Sequence, residues 1–228
     1  MLDILYQDEH LIAINKPHGL LVHRSPIARN ADSFAVQELR DQIDQYVYPV
    51  HRLDRKTSGV LLFTKKQELI APLQMQFANH QVSKRYLAIL RGYTTDHDSI
   101  DYPLKNDKGK IQEAITEYET LERVEIQVPF GKFSTSRYSL VLAKPQTGRM
   151  HQLRKHFAHI LHPIIGDRPH GCNKQNKLFL EKWNMSSMLL HAYQLAIIHP
   201  LSDQQILIEA PLSSEFQRAL SFLGFTYS

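Results

Sequence analysis

The chain has 228 residues and a mass of 26.5 kDa, enough for one large domain or two small ones, and 43% of its residues are hydrophobic, enough to build a core. Lys and Arg number 27 against 23 Asp and Glu, a net charge of +4 with 13 histidines in addition, which excludes a disordered or strongly acidic chain. The single cysteine, Cys172, excludes an internal disulfide and a cysteine-based zinc site and suits a reducing compartment. The opening residues MLDILYQDEH lack the profile of a signal peptide, and no apolar run approaches the ~18 residues of a membrane span. A cytoplasmic protein that does not enter a membrane is expected.

In chain order, apolar alternation at 2–6 and 11–15 around a polar 7–10 predicts an opening hairpin, broken by Lys16, Pro17 and Gly19. Phe34, Val36, Leu39 and Ile43 lie near helical spacing behind Asp32 and Ser33, either of which can cap the helix. A short apolar strand follows at 59–64, then a helix running to Asn79 despite Pro72, then an alternating strand over 82–90. Residues 93–110 are polar and rich in turn formers and predict an exposed loop, with further strands at 111–128 and 137–144. Thr147 is placed to cap a helix whose apolar stripe is Met150, Leu153 and Phe157 and which ends at His162-Pro163. Late strands are expected at 188–198 and 204–209, and Ser213 begins a last amphipathic helix that Gly224 stops. Because strands and helices do not alternate strictly, the fold class is α+β, with a mixed, mainly antiparallel sheet flanked by helices.

Charge is unevenly placed. Between Lys132 and Lys182 there are 10 Lys or Arg against Asp167 and Glu181, a net +8 there and −4 elsewhere. That asymmetry points to a polyanionic partner, the plainer alternative being a solvated basic face. Neither GxGxxG nor GxxxxGK[ST] nor HExxH occurs, which argues against a nucleotide cofactor and a zinc hydrolase. His156, His159 and His162 are spaced as metal ligands sometimes are. On a helix, however, the first and last differ by about 9 Å in height and fan apart in direction, a poor fit to bonds of about 2 Å, so no metal is expected.

The densest chemical signal is His51-Arg52-Leu53-Asp54-Arg55-Lys56-Thr57-Ser58-Gly59, one carboxylate among three cations and a histidine. Cations this close favour the charged carboxylate, which can act as nucleophile or base. If the segment is extended, Arg52 and Asp54 share a face. The bland reading is a salt-bridged aspartate in a turn. Tyr86 lies in phase with Ala88 and Leu90, which alone suggests core, and Arg154 beside Leu153 would border a buried stripe and require a carboxylate.

HRLDRKTSG resembles the signature of the RluA-type pseudouridine synthases, and the likeness continues in the family's order. Asn15-Lys16-Pro17-x-Gly19 matches its opening turn, Lys84-x-Tyr86-x-Ala88 its tyrosine motif, and Thr147-Gly148-Arg149-x-His151-Gln152-Leu153-Arg154 its third motif. HPIIGD at 162–167 and LHA at 190–192 match later segments. The resemblance implies a single catalytic domain over 1–228 with a central active-site cleft and no amino-terminal S4 domain. It also implies isomerisation of a uridine in RNA to pseudouridine, a redox-neutral reaction that requires no cofactor. Asp54 is then the catalytic carboxylate, with Tyr86 against the target base and Arg154 paired with Asp54. Leu153 forms an apolar wall under the uracil. Arg52 stacks where an extruded base had been, since the target must leave its helix. Arg149, His151 and Lys155 are expected RNA contacts.

Residues 166–176 depart from the common family pattern, in which a tyrosine precedes the glycine. Together with 5–25 and 146–167 they resemble the subgroup that modifies uridine 65 in the T arm of tRNA, so tRNA is the expected partner and no protein partner is implied. Ribosomal RNA is the alternative substrate, and a non-catalytic RNA-binding protein the alternative outside the family.

Overall fold

The computed structural model describes residues 1–23 and 33–227. They group into two compact units, Met1–Lys84 with Ala192–Leu212, and Arg85–His191 with Ser213–Ser228.

In the first unit, β1 (Asp3–Gln7) and β2 (Leu11–Lys16) form the expected antiparallel hairpin. Its turn is held by Asp8, whose Oδ1 accepts from the backbone N–H of His10 and Leu11 at 2.7 Å each. Helix α1 (Ala35–Ile43) and the two-residue β3 (Tyr48–Pro49) precede β4 (Ser58–Thr64), which pairs antiparallel with β2 so that Leu11 meets Thr64 and Lys16 meets Gly59. Every residue of β4 is buried. The cap of α1 differs from expectation: Phe34 occupies that position with no side-chain hydrogen bond, so Ser33 does not cap it, and Asp32 lies outside the described residues. After a 3-10 turn at Gln67–Leu69 comes α2 (Ile70–Ala78), which tolerates Pro72 because a first-turn residue has no intrahelical N–H bond to lose. Leu11, Ala13, Val60, Leu62 and Leu73 form the heart of this unit's core.

Strand β5 (Ser83–Arg91) leads into the second unit, followed by β6 (His97–Asp101), β7 (Leu104–Lys105), β8 (Ile111–Gln112), β9 (Ile115–Ile126) and β10 (Ser136–Pro145). There β5, β10, β9 and β6 are antiparallel neighbours in that order, while β7 and β8 make a separate short hairpin. Helices α3 (Gln152–His159) and α4 (Asn173–Trp183) come next; β11 (Leu190–Ile198) then returns at Ala192 to the first unit, where it pairs antiparallel with β12 (Gln205–Glu209), and α5 (Ser214–Leu223) ends the second unit. One face of the β5–β10 pair presents Ala88, Leu90, Val141 and Ala143 to Leu153 and Phe157 of α3. Tyr138 points the other way, edge-on to Phe179 of α4 at 5.5 Å, and its hydroxyl accepts from Gln175 Nε2. Ser213 Oγ caps α5 by accepting from Phe216 N, and Gly224 ends it at φ 82°. The mixed, mainly antiparallel α+β character is as expected.

Two elements differ from the sequence reading. Residues 93–110 are not simply a loop, since β6 and β7 lie within them. The β6 sequence HDSID buries only Ile100, so it carries no apolar alternation, and pairing with β9 makes it a strand. Helix α4 was not anticipated; it buries just Gln175 and Phe179, too sparse a stripe to stand out.

Candidate active site

Asp54 sits in a turn of the first unit, closed by the Thr57 N–H donating to the Asp54 carbonyl at 3.0 Å. Burial alternates along it: Arg52 is exposed, Leu53 buried and Asp54 half-buried. The turn is fastened to 16–20. Gly19 N donates to the Arg55 carbonyl at 2.8 Å, and Arg55 Nε returns to the Gly19 carbonyl at 2.9 Å. Beneath lies Lys16, wholly buried, whose Nζ donates to the carbonyls of Pro17, Leu20 and Arg55 at 2.9, 2.9 and 3.2 Å. Three acceptors match the three N–H groups of an ammonium. Burial pushes Lys16 down to about 7, and the charge of Asp54 opposes that fall. His51 is a scaffold residue: its Nε2 accepts from Leu62 N at 3.0 Å, its ring stacks on Phe77, and burial followed by the charge of Lys84 lowers it to about 4. Gly59, at φ 106°, leaves no room for a side chain against the Ala192 backbone.

The second unit holds Tyr86, Leu153 and Arg154. Tyr86 on β5 is half-buried and leans on the same apolar cluster that contains Leu153. Arg154 is buried on α3, and its Nε and Nη2 donate to the two carboxylate oxygens of Asp167, each at 2.8 Å. The carboxylate facing Nε and Nη2 of this arginine is thus Asp167, which sequence reasoning did not single out. The available signal was HPIIGD itself. Its glycine, at φ 81°, is pressed against the Ser187 carbonyl and sets the chain direction that delivers the next residue to Arg154. Lys16 was likewise read only as part of a turn.

The start of α3 corrects another expectation. Thr147 is not the cap: its hydroxyl donates to Gln152 Oε1 at 2.7 Å and accepts from Ile115 N. His151 is the capping residue, left-handed at φ 56°, and Met150 precedes the helix, 38% exposed, outside the buried stripe. The buried Gln152 side chain organises the turn, accepting from Arg149 N and donating to Ile115 O and Thr116 Oγ1. Around it stand the expected RNA contacts. Arg149 Nε donates to Glu113 O at 2.9 Å, Lys155 Nζ to Lys105 O at 3.3 Å, and His151 Nδ1 lies 3.0 Å from His170 Nε2. One of those two nitrogens must donate and the other accept, so at most one ring is charged while the bond exists. Burial lowers His170, Asp167 opposing and Arg154 reinforcing the fall.

The three spaced histidines go separate ways. His156 is buried between Thr116 Oγ1 and Tyr102 O and is lowered mainly by that burial, His159 stacks on Tyr102, and His162 Nδ1 donates to Arg91 O. Among the described residues no group of His, Cys, Asp or Glu is arranged to hold a metal ion, and no helix is long and apolar enough to cross a membrane. The basic segment is not one free surface either. Arg154 is buried on Asp167, Arg137 pairs with Glu125 at 3.1 Å, and Lys177 pairs with Glu181 at 3.5 Å, whereas Lys132 and Lys174 are exposed.

The family model for RNA pseudouridylate synthase matches residues 10–159, which include the Asp54 turn, Tyr86 and the start of α3 through Arg154. The chain belongs to the RNA pseudouridylate synthase family. Relatives over the full length include proteins called tRNA pseudouridine synthase C. That of Vibrio cholerae serotype O1 is 45% identical, covering 100% of this chain and 98% of the relative, and that of Haemophilus ducreyi is 47% identical with the same coverage. Human RNA Pseudouridylate Synthase Domain Containing 1 shares the fold, with a TM-score of 0.74 at 23% identity over 99% of this chain and 96% of that one. As a member of this synthase family the protein is an isomerase of uridine in RNA.

Proposed function

We propose that this protein converts a uridine of tRNA to pseudouridine in the cytoplasm, at position 65 in the T arm. The observation that carries the reading is identity of 45–47% to relatives called tRNA pseudouridine synthase C, over 100% of this chain and 98% of each relative.

In this reading Asp54 is the carboxylate that starts the reaction and Arg154 orients it from α3, with Asp167 holding Arg154 in turn. The cost of burying the guanidinium is met by the bidentate pair to Asp167, so Arg154 is preorganised rather than mobile. Tyr86 stacks on the uracil or moves a proton at carbon, and Leu153 supplies the apolar wall, a role supported by their shared cluster. Arg52, exposed two residues from Asp54, fills the gap left by the extruded uridine. Arg149, His151 and Lys155 contact the RNA backbone. The isomerisation neither oxidises nor reduces its substrate, so no cofactor is required.

Asp54→Asn keeps the shape and removes the anionic oxygen, so tRNA binding should persist while pseudouridine formation falls by at least 1,000-fold, roughly 4 kcal/mol in barrier. Substantial turnover by that variant would overturn the assignment. The substrate is tested by a site-resolved pseudouridine map of total RNA from cells with and without the protein. Loss of a ribosomal site with an unchanged tRNA map would overturn the tRNA reading, and no lost site together with intact RNA binding would leave only a binding protein.

A further inference from the structure

Beyond the residues already assigned, the second unit carries a cleft of about 250 Å3 at the end of β5 and β10, lined by Arg91, Gly92, Phe130, Phe133, Arg137 and Gln175 among others. Its chemistry is unusual for a surface hollow. Phe133 is 60% exposed, in the β9–β10 connection that closes with Phe130 and Phe133 exchanging backbone hydrogen bonds at 3.0 and 3.1 Å. Cations stand over the aromatic faces: Arg91 lies 5.6 Å from the Phe130 ring centroid, Lys132 5.5 Å from Phe133, and Arg137 5.2 Å from the half-exposed Tyr93. Glu125 answers one of the three charges by pairing with Arg137 and also accepts from Thr135 Oγ1, leaving the rim net basic.

Exposed aromatic faces interleaved with cations suit a base that stacks and a phosphate that follows it, an arrangement that tolerates any base because each has a π-face. The position is separate from the target uridine. Arg91 is five residues from Tyr86 along β5, about 17 Å at the strand rise and, being an odd step, on the opposite face. The cleft's net basic rim is complementary to the charge of the polyanionic substrate RNA.

We propose that this cleft is a second RNA-contact site, in which an unstacked base of the substrate RNA lies against Phe130 and Phe133 while Arg91 and Lys132 take its phosphate. The inference rests on the tRNA reading above and adds a contact remote from the reacting base.

The test is filter binding of an unmodified tRNA transcript across a salt series, with turnover measured at saturating RNA. Phe133→Ala should raise Kd at least fivefold, the low end of a lost base stack, without changing the slope of log K against log salt. Arg91→Gln should raise Kd and flatten that slope by about one. Both should keep wild-type turnover at saturation, and Phe133→Tyr should restore the affinity. Ultraviolet cross-linking of bromouridine-substituted tRNA should label the 127–135 peptide in wild type and not in Phe133→Ala. Unchanged Kd and slope in both variants, or cross-links elsewhere only, overturn the second site while leaving the enzyme reading intact. A wild-type protein that binds the transcript through this cleft but never makes pseudouridine sinks the enzyme reading and keeps the site.

Discussion

Replacing Asp167 with leucine strands the two guanidinium nitrogens, Nε and Nη2, that its carboxylate holds at 2.8 Å each. The side chains of Arg154 and Asp167 are 6% and 1% exposed, so water cannot step in for the lost oxygens. Removing one partner of a buried pair costs about 3–5 kcal/mol, because the remaining charge stays buried. At a urea slope of about 3 kcal/mol per molar, the unfolding midpoint should fall by roughly 1–1.7 M. Replacing both partners, Arg154→Met with Asp167→Leu, removes the buried guanidinium together with the carboxylate that faces Nε and Nη2, and apolar substitutes for a buried pair are often neutral. The double variant should therefore regain about 2 kcal/mol or more over Asp167→Leu, a coupling that a double-mutant cycle reads directly. Activity separates from stability here: the double variant should fold and bind tRNA yet make no pseudouridine, since it lacks the guanidinium. A cost under about 1 kcal/mol for the single variant, or a double variant no more stable than the single, would refute the argument that the pair is closed to solvent.

Tyr86→Phe retains the stacking face and loses the phenol, so turnover should fall 100-fold or more with little change in tRNA affinity, by the ordinary size of proton-transfer catalysis; full activity would leave only stacking. Gly59→Ala meets the Ala192 backbone at φ 106°, where neither neighbour can yield, and should give little or no folded protein on expression, whereas normal yield would show that β4 can shift. His51 has a folded value of about 4, below its unfolded 6.5, so between those values the unfolded chain binds a proton that the folded chain does not. Stability should fall by roughly 3 kcal/mol as pH drops through that window. His51→Gln, which keeps an acceptor for Leu62 N, should remove this part of the slope in urea titrations at pH 6.5 and 4, leaving the contributions of His156 and His170, which are also lowered and have the same sign.

What the linear chain determined is whatever depends on neighbours in sequence. The opening hairpin, α1, β4, β5 and the Ser213-capped α5 were legible because alternation, helical spacing and capping are local properties. Asp54, Tyr86 and Arg154 were singled out for another reason, the resemblance of their motifs to a known family; taken alone, Tyr86 reads as core and Asp54 as a turn aspartate. Partnership was not legible. A buried arginine announces that it needs a carboxylate, yet Asp167 and Asp54 are equally available on paper. The choice of Asp167 for Nε and Nη2 follows from Gly166 turning the chain and from α3 setting the arginine's direction. Lys16 shows the same limit, for its three acceptors come from Pro17, Leu20 and a turn 39 residues away. So does β6, whose polar sequence becomes a strand only because β9 offers an edge to pair with. Backbone hydrogen bonds and ion pairs between distant residues depend on where the whole chain has gone, which tertiary packing decides.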